Sequence, residues 1–351
     1  MDTIGYLYEN SFVASTPLLN LLFYNYDTGG PVKFGFTYYL SSGITYILVV
    51  TTSSTDVTGA FSILASGPSE FTLTLIVITI PTGTTIATTA AGPCAAKPGS
   101  IVIADIKAIQ LEPRSLSPPI VYHRGPVVST PVVYVIWYGN WTGNNGTTLI
   151  ENFLRGLGST PWWSIDRAYN NTSPIRFGRS TSNSYSQGKT LTQADIFAIV
   201  QQAITSSALP RDTNGIYFVL TSVDCTATYF CTQACGWHST DFQSGLIYSW
   251  IGNPEQLCPR SCSYQQVSPN GNVGADAMVS VIAHEAAEAV SDPYLNAWFD
   301  SNCDEVADKC AWTFGTTTAL SNGAVYNMVV NNVKYLVQQN WRLATQDCGM
   351  S

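Results

Sequence analysis

The sequence predicts a multidomain chain, with an N-terminal all-β sandwich followed by a C-terminal α/β (α+β) domain built on a mixed sheet. Three observations predict it. Residues 1–82 carry short apolar stretches of period two between turn clusters, residues 83–100 are rich in Thr, Ala, Gly and Pro, and from Val121 onward strand-like and helix-like patterns alternate. Length agrees, since 351 residues exceed what one hydrophobic core usually supports.

In the first segment Val32, Phe34, Phe36 and Tyr38 alternate with Lys33, Gly35 and Thr37. Strand-like stretches follow over residues 45–52, 60–66 and 71–80, with Ser41-Ser42-Gly43 and Ser66-Gly67-Pro68 as turns between them. Through Gly5-Tyr6-Leu7-Tyr8, the Asp27-Thr28-Gly29-Gly30 turn and Gly43 leading into residues 46–50, this segment resembles the pre-peptidase C-terminal type of β-sandwich carried by secreted hydrolases. The resemblance implies an accessory domain over 1–82, cut short at its start. Residues 83–100 are the expected linker, with Cys94 inside it, and Pro113 to Pro119 leads into the domain over 101–351.

In that domain residues 132–137 form a strand, 147–157 an amphipathic helix, and 175–180 a strand. A helix over 192–204 has Asp195 in its first turn, where negative charge suits the helix dipole. Residues 215–221 form a buried strand, a Cys-rich loop region follows, and a helix spans 276–290. Strands and helices in this order call for a partly parallel sheet.

Charged residues are only 11% of the chain against 45% apolar, the opposite of a disordered composition, so the chain is expected to fold throughout. The net charge of −8 and the thin spread of 15 Lys and Arg exclude the basic stripe that nucleic acid or an anionic membrane surface would need. No run reaches ~18 apolar residues, so no membrane span is expected. Nine cysteines and a cluster of sequons at Asn140, Asn145, Asn170 and Asn171 point to an oxidising, secretory compartment and a glycoprotein. The Met1-Asp2-Thr3-Ile4-Gly5-Tyr6 start lacks the basic and apolar regions of a signal peptide, which implies a leader removed or a chain that begins within a longer gene. An odd cysteine count leaves one thiol free or paired between chains, and Cys94 makes self-association a candidate.

The sharpest chemical signal is Val281-Ile282-Ala283-His284-Glu285-Ala286-Ala287-Glu288, running on to Asp292-Pro293. His284 and Glu288 are four apart and share one face of a helix. An imidazole and a carboxylate so placed can bind one divalent ion, as two His do in His-Glu-x-x-His peptidases, and Glu285 then stands where those enzymes keep their general base. This gives the α/β domain its zincin-like reading. Glu305 and Asp308 are the candidates for further ligands. Zinc is the expected ion, and a set this rich in carboxylate also admits calcium or manganese. The plainer alternative makes Glu285 and Glu288 solvated helix charges and His284 a capping or packing residue.

Cys231, Cys235, Cys258 and Cys262 can be read as a zinc knuckle or, in an oxidising compartment, as disulfides. His238, His123 and Asp292 are candidates to line a cleft. Gly188-Lys189-Thr190 fails as a phosphate loop because the upstream glycine position holds Asn183, and no Gly-x-Ser-x-Gly elbow supports a serine hydrolase. Trp137, Trp141, Trp162 and Trp163 are either core or, if exposed, platforms for sugar rings.

Several segments carry a family resemblance: Tyr122-His123-Arg124-Gly125-Pro126-Val127, Val135-Ile136-Trp137-Tyr138-Gly139-Asn140-Trp141, Cys235-Gly236-Trp237-His238, Trp250-Ile251-Gly252-Asn253-Pro254 and Ser268-Pro269-Asn270-Gly271-Asn272-Val273-Gly274. The His284 helix, Glu305-Val306-Ala307-Asp308-Lys309-Cys310 and Tyr326-Asn327-Met328 complete them. From Tyr122 to Cys348 the chain resembles the EXORDIUM, or phosphate-induced protein 1, family. The resemblance implies an extracellular or wall-associated protein linked to growth and cell expansion, and it names no reaction. It implies that Glu in place of the second His is a family trait. Cys231, Cys235, Cys258, Cys262, Cys310 and Cys348 fit the family's places, whereas Cys94, Cys225 and Cys303 depart from it, with Cys225 and Cys303 the candidates for an extra bridge and Cys94 left in the linker. Two readings follow: a secreted metallopeptidase-like hydrolase, or a non-catalytic matrix or surface protein that binds glycans or other proteins.

Overall fold

In the computed structural model the described residues are the strands Thr3–Glu9, Leu21–Tyr26 and Tyr46–Thr52, and residues 118–351 except 144, 171–172 and 242–243. The chain divides into two compact units, Met1–Ala90 and Ala91–Ser351. In the first, β1 (Thr3–Glu9), β2 (Leu21–Tyr26) and β3 (Tyr46–Thr52) form one antiparallel sheet in the order β2-β1-β3. β3 falls on the stretch expected over 45–52. The sequence reading places no strand at β1 or β2, because Tyr6-Leu7-Tyr8 and Leu21-Leu22-Phe23-Tyr24 put apolar residues on both faces and blur the alternation. The strands expected over 32–38, 60–66 and 71–80, the sandwich they would complete, the linker and Cys94 lie outside the described residues.

The second unit is organised by three strands of nearly unbroken apolar sequence. These are β4 (Val132–Tyr138, VVYVIWY), β6 (Gly215–Thr221, GIYFVLT) and β8 (Leu246–Ile251, LIYSWI), all but Val132 buried throughout. Such strands can only sit where both faces of a sheet are covered, the situation of parallel strands flanked by helices. With the polar edge strand β5 (Arg176–Asn183) and β7 (Gly236–Asp241) they form a five-stranded mixed sheet in the order β7-β8-β6-β4-β5. β8, β6, β4 and β5 are parallel neighbours and β7 alone is antiparallel, paired with β8.

Helix α1 (Gly146–Leu157) links β4 to β5, and α2 (Gln193–Thr205) links β5 back across to β6. Right-handed crossovers running in opposite directions put these helices on opposite faces. α1 buries Leu149, Ile150, Phe153, Leu154 and Leu157 on one stripe. α2 opens with a capping box in which Thr192 and Asp195 exchange side-chain and backbone hydrogen bonds, so Thr192 caps the helix rather than belonging to it.

The third helix, α3 (Val273–Ser291), packs against α1 and against β7 and β8. The Asn272 side chain accepts from Ala275 N at 2.9 Å and caps it. Every residue from Gly274 to Ser291 is buried, as expected of a helix surrounded by protein rather than one lying on a surface. Strand β7 shows both faces of the sheet at once. Ser239 receives a hydrogen bond from Gln193 of α2, while His238 reaches Glu285 of α3 and Thr240 donates to Pro293 O, two residues beyond its end. β7 approaches α3 closely because Gly236 has no side chain: a Cβ there would lie 2.7 Å from Val281 Cγ1 and 2.5 Å from Ile251 Cδ1.

Disulfides join Cys231 to Cys258 and Cys235 to Cys262, each across 27 residues, and Cys310 to Cys348 across 38. The zinc-knuckle alternative is thereby removed, since its four cysteines are oxidised. The suggested Cys225–Cys303 bridge is corrected. Cys225 is a buried free thiol in the turn after β6, where its N donates to Ser222 O at 3.0 Å, and Cys303 is disulfide-bonded to a partner outside the described residues. Trp137, Trp162 and Trp163 are core and not sugar platforms, and the Trp162 indole N–H donates to Gln338 O at 2.8 Å. Among the described residues no helix is long and apolar enough to cross a membrane.

Candidate metal centre

Buried helix α3 carries a polar stripe at intervals of four: Asp276, Ser280, His284 and Glu288. Its first two members are satisfied. Asp276 accepts from the Ser268 hydroxyl and from Asn270 Nδ2, and Ser280 Oγ accepts from Gln338 N at 3.1 Å. The last two, with Glu285 beside them, open into a cluster that the rest of the fold completes from two directions.

From the sheet edge, β7 brings His238, whose Nδ1 lies 3.2 Å from Glu285 Oε2 and 3.9 Å from Glu288 Oε2. The loop after α3 brings Glu305 and Asp308. Glu305 Oε1 is 3.7 Å from His238 Nε2, and Asp308 Oδ1 is 3.7 Å from His284 Nε2. Within the helix, His284 Nε2 lies 3.1 Å from Glu288 Oε1, the oxygen that also accepts from Asp308 N at 2.9 Å. The Cys310–Cys348 disulfide holds this loop, and Asp292 folds the chain back toward it by accepting from Asn296 N and Ala297 N at 2.6 Å each.

The structure therefore brings together Glu285, His284, Glu288, Glu305 and Asp308. His238, given only a place in a cleft by the sequence, belongs to the cluster itself. Its signal was a lone imidazole in the alternating strand Gly236–Asp241. His123 does not join them: it is exposed and stacks on Phe299 with ring centroids 3.7 Å apart. Among the sequon residues Asn140, Asn145 and Asn170 are exposed, and Asn171 lies outside the described residues.

All six residues are buried, with exposures of 0% for His238, Glu285 and Glu288, 1% for His284, 3% for Glu305 and 8% for Asp308. The solvated-charge alternative for Glu285 and Glu288 is thus excluded. His238 Nε2, His284 Nδ1, Glu285 Oε1, Glu305 Oε1 and Asp292 Oδ2 are buried and make no hydrogen bond. Buried polar atoms ordinarily find partners, so several such donors facing one another fit a group that would occupy the space between them. Two sets, His238 with Glu288 and Glu305, and His284 with Glu285 and Glu288, have donor atoms within 4.8 Å of one another. That is the span of ligands around one ion at ~2.0–2.6 Å.

The protonation states follow from burial and crowding. Burial pushes the Glu285 and Glu305 carboxyls well above the ordinary range, and the charge of Glu288 pushes them further. Burial lifts Asp292 to about 7 against the pull of the two amides it accepts from. Burial also holds His238 down at about 4, which leaves it a neutral imidazole able to ligate at neutral pH. His284 is pushed down by burial, but Glu288 and Asp308 outweigh this and raise it well above its usual value.

Fold and cluster together define a disulfide-braced α/β protein with a buried carboxylate–imidazole centre. Residues 120–351 match the model of the family described as the phosphate-induced protein 1 conserved region, and the chain belongs to that family. It is similar to Protein EXORDIUM-like 3 of Arabidopsis thaliana, at 34% identity over 274 residues, 65% of this chain and 81% of the relative. Protein EXORDIUM-like 5 of the same plant is 32% identical over 277 residues, 65% of this chain and 76% of the relative. Protein PHOSPHATE-INDUCED 1 of Nicotiana tabacum is 25% identical over 279 residues, covering 65% and 86%. The resemblance read from Tyr122 to Cys348 thus holds.

Proposed function

We propose that this is an extracellular protein whose second unit holds a divalent cation in a closed centre formed by His284, Glu288, Glu305 and Asp308, with His238 as a further ligand. The observation that carries it is the set of buried donors on His238, His284, Glu285 and Glu305 that make no hydrogen bond. Imidazole nitrogen favours zinc, and the surplus of carboxylate oxygen leaves manganese or calcium as alternatives. Three described disulfides and the exposed sequons at Asn140, Asn145 and Asn170 support an oxidising compartment. Elemental analysis of protein purified without chelator tests the centre. A stoichiometric divalent metal is expected, and none would remove the reading.

A structural role is favoured by how closed the centre is, since catalytic metal sites keep a position open to substrate. One observation favours the zincin-like hydrolase as a second reading: Glu285 follows His284 directly, with one oxygen beside His238 and the other unengaged. A bound divalent ion would lower the pKa of a coordinated water toward ~7. The Glu285 carboxylate would accept the proton, and His238 would orient it. Glu285→Gln would then keep at least one bound ion and lose metal-dependent cleavage of peptide, ester or glycan substrates. If the parent cleaves none of them, the non-catalytic reading stands, with a glycan or protein partner as the candidate interaction.

A further inference from the structure

We infer that the cluster holds two divalent cations rather than one, with Glu288 as their shared ligand. This rests on the metal-centre reading and adds the number of ions and the ligands of each.

The donors fall into two overlapping sets, and Glu288 is the only member common to both: His238, Glu288 and Glu305 form one, and His284, Glu285 and Glu288 the other. The two oxygens of Glu288 are divided between them. Oε1 lies 3.1 Å from His284 Nε2, and Oε2 lies 3.9 Å from His238 Nδ1. A carboxylate in this position is a bridge, and two metal ions in such sites sit about 3.5–4 Å apart.

Each set also has its own unsatisfied donors once Glu288 is set aside. In the first these are Glu305 Oε1 and His238 Nε2, 3.7 Å apart, and in the second Glu285 Oε1 and His284 Nε2. One ion placed between Glu288 and Glu305 would leave the Glu285 oxygen buried without a partner, and one placed beside Glu285 would leave Glu305 so. Leaving a buried polar group unsatisfied costs about 1–3 kcal/mol, and more for a charged one.

Charge supports the same count. Once Glu285, Glu288, Glu305 and Asp308 give up their protons to act as ligands, one divalent ion offsets only two of the four negative charges, and uncompensated buried charge is strongly unfavourable. Two divalent ions match them, with the imidazoles as neutral ligands. The mixed nitrogen and oxygen donors suit first-row ions such as zinc or manganese.

The test uses the full chain, stripped with chelator, returned to chelator-free buffer and titrated with MnCl2. Bound metal per chain is measured by elemental analysis, and the manganese electron paramagnetic resonance signal is followed. Two equivalents are expected, with the six-line signal of an isolated ion lost to spin coupling as the second binds. One equivalent with an undiminished signal overturns the inference and leaves a single-ion centre. None overturns that centre as well. Glu305→Gln and Glu285→Gln, each checked for native circular dichroism, should both fall to one equivalent. If both folded variants still bind two coupled ions, the assignment of ligands is wrong.

Discussion

His238 Nδ1 lies 3.2 Å from Glu285 Oε2, although 47 residues separate the two in the chain. The contact is made across the seam between the sheet's antiparallel edge strand and a helix buried on all sides. Both partners are fully enclosed, so their positions are set by how closely β7 and α3 approach.

Gly236 controls that approach. Replacing it with Ala puts a methyl group against Val281 and Ile251 and within 3.0 Å of Trp250 O. Overpacking of this kind typically costs about 1–3 kcal/mol. Gly236→Ala is expected to melt at lower temperature and to retain less metal than the parent. Unchanged metal content would show that the centre does not depend on the strand's position.

Removing the metal should weaken the fold. A ligand present at a hundred times its dissociation constant stabilises by about 2.7 kcal/mol, and a chelator abolishes that contribution. Melting curves with and without excess chelator should differ by several degrees for the parent. His284→Ala should show little difference.

The paired disulfides should matter more than any single surface contact. Each closes a segment of 27 residues, for which the chain-entropy model gives about 3–4 kcal/mol. Replacing both Cys235 and Cys262 by Ser should lower the unfolding free energy by about that amount in denaturant titration, whereas Cys225→Ser should have a much smaller effect.

Asp166 gives stability a dependence on pH. It is fully buried, and burial raises its carboxyl to about 8 despite hydrogen bonds from Asn340 Nδ2 at 3.2 Å. It is therefore protonated in the folded protein while the unfolded chain ionises near 3.9. Its stabilising contribution is complete below about pH 4 and declines as pH rises to about 8, at up to about 1.4 kcal/mol per pH unit. Asp166→Asn should remove that slope in denaturant midpoints measured from pH 4 to 8. A parent with no greater slope than the variant would contradict the assignment.

The parts of the fold legible in sequence were those where local pattern and tertiary environment agree. The apolar runs of β4 and β6 required a covered sheet. The helix expected over 276–290 is α3, extended by one turn because Asn272, and not a later residue, caps it. The β7–β8 hairpin was hidden. Four flanking cysteines made it read as a Cys-rich loop, and Ser239, Thr240 and Asp241 diluted its pattern. The His284–Glu288 pair and its acidic partners were visible from spacing alone. His238 was not, because nothing local in a strand states which helix it will face, and for the same reason Cys225 gave no hint of being sealed and unpaired.

The two bonds that tie residues 231 and 235 to residues 258 and 262 bracket the hairpin carrying His238 on both sides. An ordinary edge strand can peel from its sheet one residue at a time, starting from a free end. This one has no free end, because its entry and its exit are covalently joined. It leaves the sheet as a closed loop or stays in place, so the imidazole facing α3 is kept in register even when the rim of the sheet breathes.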